Sequence, residues 1–116
     1  MSNVITIVLA CLLQVESHGN SHAVGDGGRA IGAYQMRKIA VREANRIVGC
    51  KRWTYADRWD FAESTKMCEA TMLWHYKRGV RDPVDLACRW RNPYGRRAPL
   101  WYRRRIENAV NKRKSL

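Results

Sequence analysis

Two carboxylates in this chain of 116 residues stand where proton chemistry could use them: Glu16 and Asp26. Glu16 closes an apolar run that begins at Val4. A carboxyl at the rim of a hydrophobic helix loses solvation, and that favours its protonated form. A glutamic acid that holds its proton near neutral pH is a competent general acid. Asp26 follows in a glycine-rich segment, Gly25 to Gly32, where missing side chains let the backbone approach a ligand closely. Two carboxylates so placed could flank a glycosidic bond, one protonating the leaving oxygen and the other orienting water. By residue type alone, a glutamate at a helix end is more often a solvated carboxylate than a catalytic acid.

Other chemistries lack their residues. There is no nucleophilic serine elbow, no phosphate-binding loop and no zinc signature. His18 and His22 have i, i+4 spacing, but Gly19 between them argues against a shared helix, and His75 is remote. Cys11, Cys50, Cys68 and Cys88 form no CxxC pair. They allow three disulfide pairings, none of which the sequence selects. Cys11, Cys68 and Cys88 lie in helical apolar patterns, which favours small buried thiols. Nothing in these residues calls for a metal or cofactor.

The elements that would position Glu16 and Asp26 are helical. Ile5, Val8, Leu9, Leu12 and Val15 share one face at 3.6 spacing, so a first helix is expected from Asn3 to Ser17, ended by Gly19. A glycine-rich loop or small hairpin follows to Ile31, with Asn20-Ser21 and Asp26-Gly27 as turn signals. Met36, Ile39, Ala40, Ala44 and Ile47 predict a helix from Tyr34 to Val48, stopped by Gly49. Thr54-Tyr55-Ala56-Asp57 is a capping-box signature. The helix after it is expected to break once and resume from Phe61 to Arg78, with Gly79 as its cap. Asp82-Pro83 opens a further helix carrying Val84, Leu86, Ala87 and Trp90, which ends near Asn92-Pro93. A last helix runs from Pro99 to Asn111, with Leu100, Ile106, Ala109 and Val110 as its apolar face and a fraying tail at Lys112-Arg113-Lys114. The fold class is therefore mainly α, in one domain spanning residues 1–116 with no repeat and no low-complexity linker.

The net charge is +12 and the isoelectric point about 10.2, which calls for an anionic partner. From Arg89 onward there are ten Lys and Arg and one acid, Glu107. The apolar start, Val4 to Leu13, resembles the core of a signal peptide. No basic residue precedes it and no small-x-small cleavage site follows, so a buried first helix is the better reading. It is also too short to span a membrane.

The pattern around the carboxylates is more specific than either residue alone. Glu16-Ser17-His18-Gly19-Asn20, then Ala23-Val24-Gly25-Asp26, then Gly32-Ala33-Tyr34-Gln35-Met36 resembles the lysozyme-like superfamily. It is similar to the core of soluble lytic transglycosylases and phage-type muralytic domains. The Gly-Asp followed by Gly-x-x-Gln is also similar to goose-type lysozymes. Residues 68–76 and 86–102 are more loosely similar to the second half of invertebrate-type lysozymes. The resemblance implies a compact lysozyme-like fold, cleavage of peptidoglycan glycan strands, and Glu16 as the general acid. It implies that Ser17 supports the acid's local geometry and that Gly32 and Gln35 line the cleft, with Gln35 bonding substrate or Glu16. It implies that Tyr34 and Met36 border the sugar subsites and that Asp26 positions water, although the spacing from Glu16 is shorter than in goose-type enzymes. The family's Asn-Gly-Gly-Pro stretch is here Trp90-Arg91-Asn92-Pro93-Tyr94-Gly95. Either Asn92 is the matching asparagine shifted by one, or Arg91 takes its place. Tyr94 or Trp90 could stack on a sugar, and by helical spacing Trp90 suits the core.

Three partner readings remain open for the basic end. Arg96-Arg97 and Arg103-Arg104-Arg105, interleaved with Trp101 and Tyr102, suit a nucleic-acid backbone. The same surface could hold an enzyme on an anionic envelope, which joins charge to catalytic pattern without adding a function. An inactive wall-binding module would not need Glu16, Gly32 and Gln35 together. The expected site of action is the bacterial cell wall or periplasm, and a phage lytic enzyme fits a small basic domain of this kind.

Overall fold

A computed structural model describes residues 3–94 and 97–114; Gly95 and Arg96 of the expected patterns lie outside the described residues. Five α-helices dominate it: α1 (Asn3–Glu16), α2 (Lys38–Val48), α3 (Phe61–Lys77), α4 (Pro83–Arg91) and α5 (Leu100–Lys114). Between α1 and α2 lies a short antiparallel hairpin, β1 (Val24–Gly25) and β2 (Ala30–Ile31), with Val24 opposite Ile31. The radius of gyration, 13.2 Å, is what a compact chain of this length should have.

Local chemistry explains most boundaries. The Asp82 side chain accepts from the Asp85 N–H at 3.0 Å, and Pro83 takes the first helical position of α4. Asp60 caps α3 in the same way through Glu63, at 2.9 Å. Before it, a 3-10 turn at Tyr55–Trp59 starts where the Thr54 N–H donates to Asp57 Oδ2 at 2.8 Å, so the expected break before Phe61 is a separate short turn.

One core holds the elements together. Ile5, Val8, Cys11 and Leu12 of α1 meet Met67, Cys68 and Met72 of α3, Leu86 and Ala87 of α4, and Tyr102, Ile106 and Ala109 of α5. The last helix therefore packs on the first as well as on α4, while α2 packs on α3. Cys11, Cys68 and Cys88 are buried free thiols and Cys50 is exposed, so no disulfide is formed.

Four expectations are corrected. First, α2 begins at Lys38 rather than Tyr34, because Met36 pairs with Ile31 in a β-bridge and Gln35 sits at φ +50°, outside the helical region. Second, Ile39 is 47% exposed; the inward face of α2 is Val41 and Ala44. Third, Leu100 is 62% exposed, and Tyr102 takes the core position assigned to it. Fourth, α5 runs to Lys114, past its expected end at Asn111. Among the described residues, no helix is long and apolar enough to cross a membrane.

Candidate functional site

Glu16 is the last residue of α1 and faces a cavity of about 780 Å³. That size suits a ligand larger than a single sugar ring. Five parts of the chain build its walls: Glu16 from α1, Asp26 and Gln35 from the hairpin region, Glu43 from α2, Thr71 from α3, and Trp90, Asn92 and Tyr94 around the end of α4. The expected acid thus shares one concave surface with Asp26, Gln35, Met36, Asn92 and Tyr94, whereas Ser17, Gly32 and Tyr34 do not line it.

The surroundings of Glu16 act on its proton in opposite directions. Burial raises its pKa above the ordinary carboxylate value. The Tyr102 hydroxyl, donating to Glu16 Oε2 at 2.6 Å, and the Arg91 guanidinium both pull it back. Desolvation is the largest of the three effects, so the net shift is upward. Burial first, and then the Glu16 carboxylate beside it, push the Tyr102 phenol far above its ordinary value, so it stays a donor at every physiological pH. Arg91 lies over the rings of Trp101 and Tyr102, with its guanidinium carbon 5.0 and 5.4 Å from their centroids. A chain of contacts thus runs from Arg91 through Tyr102 to Glu16.

The hairpin region is fixed from within. The Ser17 hydroxyl donates to the Ala33 carbonyl at 2.6 Å, tying the end of α1 to the hairpin's exit. A Cβ at Gly32 would overlap the Arg58 carbonyl oxygen, and its φ of +82° already favours glycine. A Cβ at Gly25 would strike the Gln35 amide oxygen. The Gln35 amide nitrogen, expected to reach substrate or Glu16, donates to the carbonyls of Ala23 and Gly32 at 3.2 and 3.0 Å. Gln35 lines the cavity while holding its own left-handed backbone in place. Arg58 completes the frame from behind, donating to the Tyr55 carbonyl at 2.8 Å and the Met36 carbonyl at 3.3 Å.

The remaining expected residues divide. Asp26 lines the cavity but is exposed and ion-paired with Arg37. Asn92 lines it too, and among the described residues its Oδ1 is the buried side-chain oxygen without a hydrogen-bond partner. Tyr94 is 71% exposed and donates to Glu43 Oε1 at 3.2 Å. Met36 lines the cavity although it is almost wholly buried. Tyr34 belongs to the core instead of bordering a subsite: it is 1% exposed, its hydroxyl meets Thr65 Oγ1 at 3.0 Å, and its ring packs between Phe61 and Trp90. Trp90 reaches the cavity wall and is anchored by its indole N–H to the Tyr34 carbonyl at 2.8 Å.

Sequence reasoning missed Tyr102, Arg91 as a neighbour of the acid, and Glu43. Tyr102 was detectable: it stands four residues before Ile106, on the face that the helix buries. Nothing local marks Glu43. Among the described residues, no group of three or more His, Cys, Asp or Glu could hold a metal ion.

No protein-family model matches this chain, and comparisons with curated proteins and with solved structures likewise find no match.

Proposed function

We propose that this chain is a lysozyme-like enzyme that cleaves the glycan strands of peptidoglycan, at the β-1,4 bond between N-acetylmuramic acid and N-acetylglucosamine. One observation carries the proposal: Glu16, raised in pKa by burial, lines a cavity while Tyr102 holds one of its oxygens. Glu16 gives its proton to the glycosidic oxygen, the C1–O4 bond breaks, and the bonding electrons leave with that oxygen. The sugar's own C6 hydroxyl then closes on C1, and its proton returns to the Glu16 carboxylate. The product is the 1,6-anhydro sugar of a lytic transglycosylase.

The state of Asp26 supports this route over hydrolysis. Its carboxylate is engaged by Arg37, so its oxygens are committed to that ion pair instead of orienting a water. Asn92 lines the same cavity and its buried Oδ1 has no donor; a turn of that amide toward the cavity would let it accept the acetamido N–H of an N-acetyl sugar. The enzyme would act in the bacterial cell wall or periplasm.

The test is mass spectrometry of peptidoglycan digested by the chain and by Glu16→Gln. Anhydro-ended muropeptides from the native chain, and a loss of at least about a hundred-fold in Glu16→Gln, are expected. Reducing ends alone would make it a hydrolase. Undiminished clearing by Glu16→Gln would overturn the proposal.

A further inference from the structure

The solvent face of α5 is not built like an ordinary solvated helix. Its apolar face, Tyr102, Ile106, Ala109 and Val110, is buried. The opposite face carries Leu100, Trp101, Arg104, Arg105 and Lys112, all exposed and at helical spacing, with no acid among them. Leu100 and Trp101 are 62% and 51% exposed at the start of the helix. Arg91 and Arg105 lie over the Trp101 ring, at 5.0 and 5.2 Å from its centroid. The neighbouring acids are engaged to the side, where Arg103 pairs with Asp85 at 2.9 Å and with Glu107 at 3.8 Å. Among the described residues, no carboxylate forms a salt bridge with Arg104 or Arg105, while Arg91 interacts electrostatically with Glu16.

We propose that this face seats the protein on the surface of an anionic phospholipid bilayer, with Leu100 and Trp101 entering the headgroup layer and Arg104 and Arg105 meeting lipid phosphates. Charge complementarity selects an anionic partner for a chain of net charge +12. The two apolar side chains then separate a bilayer from a soluble polyanion. A large aliphatic side chain gains nothing from a hydrated phosphate polymer, but it gains burial at a headgroup boundary, where tryptophan is also at home. Guanidinium groups resting on an aromatic ring keep their N–H edges free for bidentate contact with phosphate. The inference does not depend on glycan cleavage, and its test uses no wall substrate.

The experiment is vesicle co-sedimentation of the full chain, with phosphatidylglycerol–phosphatidylethanolamine vesicles against phosphatidylcholine alone, and with a soluble duplex DNA as competitor. The expected result is binding to the anionic vesicles that weakens with salt, and quenching of tryptophan emission by brominated acyl chains. R104Q/R105Q should lose about 25-fold, at about five-fold per cation. L100S/W101Q should lose at least about ten-fold and most of the quenching. Circular dichroism checks that each variant is folded; if L100S/W101Q is not, Leu100→Ser and quenching of the native chain decide. Equal binding to phosphatidylcholine would overturn the proposal. So would an L100S/W101Q protein with undiminished vesicle binding, or duplex DNA displacing the native chain from vesicles, which would make the face a general polyanion site.

Discussion

Substituting Tyr102 by Phe deletes one oxygen and, with it, the 2.6 Å bond to Glu16. When Glu16 is ionised, that bond has a charged acceptor and contributes about 1.5–3 kcal/mol; to a neutral amide in the same place it would contribute about 0.5–1.5 kcal/mol. The loss in the native background should therefore exceed the loss in a Glu16→Gln background by about 1–2 kcal/mol. For a chain of this length, with an unfolding entropy of about 0.24 kcal/mol per kelvin, that excess is about 4–8 °C in Tm. The excess has a pH signature. Burial raises the folded-state pKa of Glu16 above its unfolded value, so the folded protein holds this proton more tightly. Stability then falls as pH rises from the ordinary carboxylate value through the raised one. Glu16→Gln should accordingly be more stable than the native chain at pH 8 and lose that advantage at pH 4. Because the Tyr102 bond lowers the Glu16 pKa, Tyr102→Phe should also extend activity to higher pH. Thermal unfolding of the four proteins of the cycle at both pH values measures the stability differences, and a pH profile of peptidoglycan cleavage by Tyr102→Phe measures the last. If Tyr102→Phe costs the same in both backgrounds at pH 8, the charged bond described here does not exist.

Four further outcomes are expected. Gly32→Ala meets the Arg58 carbonyl and a φ of +82°, so it should destabilise by about 2–4 kcal/mol in a urea titration. His75, held down at about 4 by burial first and then by Arg89 and Arg78, binds fewer protons folded than unfolded between there and its ordinary value of 6.5. Stability should therefore drop as pH falls across that window, by an amount of order 3 kcal/mol, and His75→Gln should flatten the slope of urea midpoint against pH. Asp26→Asn removes an exposed pair and should cost no more than about 1 kcal/mol; on the transglycosylase reading the anhydro products should be unchanged, and their replacement by a new product class would implicate Asp26 directly. Finally, a thiol reagent should label Cys50 rapidly in the native protein and Cys11, Cys68 and Cys88 only on unfolding, as mass mapping would reveal.

What the sequence disclosed depended on how local its cause was. Helix α4 was legible because Asp82 and Pro83 are its own start signal, and the end of α3 because Gly79 stands just past it. The start of α2 was not legible. Met36, Ile39 and Ala40 mimic helical spacing, but Met36 is inward because it bridges to Ile31, and Ile39 points out. The same limit applies to the site. Glu16, Asp26 and Gln35 stand close together in sequence and were found together. Tyr102 and Glu43 reach the same cavity region only through the packing of α5 and α2, which residue type alone does not record. Tyr34 shows the reverse error: it lies within the motif but faces Thr65, so adjacency in sequence overstated its nearness to the cavity.

The bond between Tyr102 and Glu16 joins residues separated by 86 positions. A chain still being synthesised carries the acid on α1 long before it carries the hydroxyl that holds it. The acid's final environment forms only when α5 has closed against α1, among the longest-range events this topology requires. On the proposed reading of Glu16, any activity reports completed folding, and a nick that releases α5 would disarm the site without touching its acid.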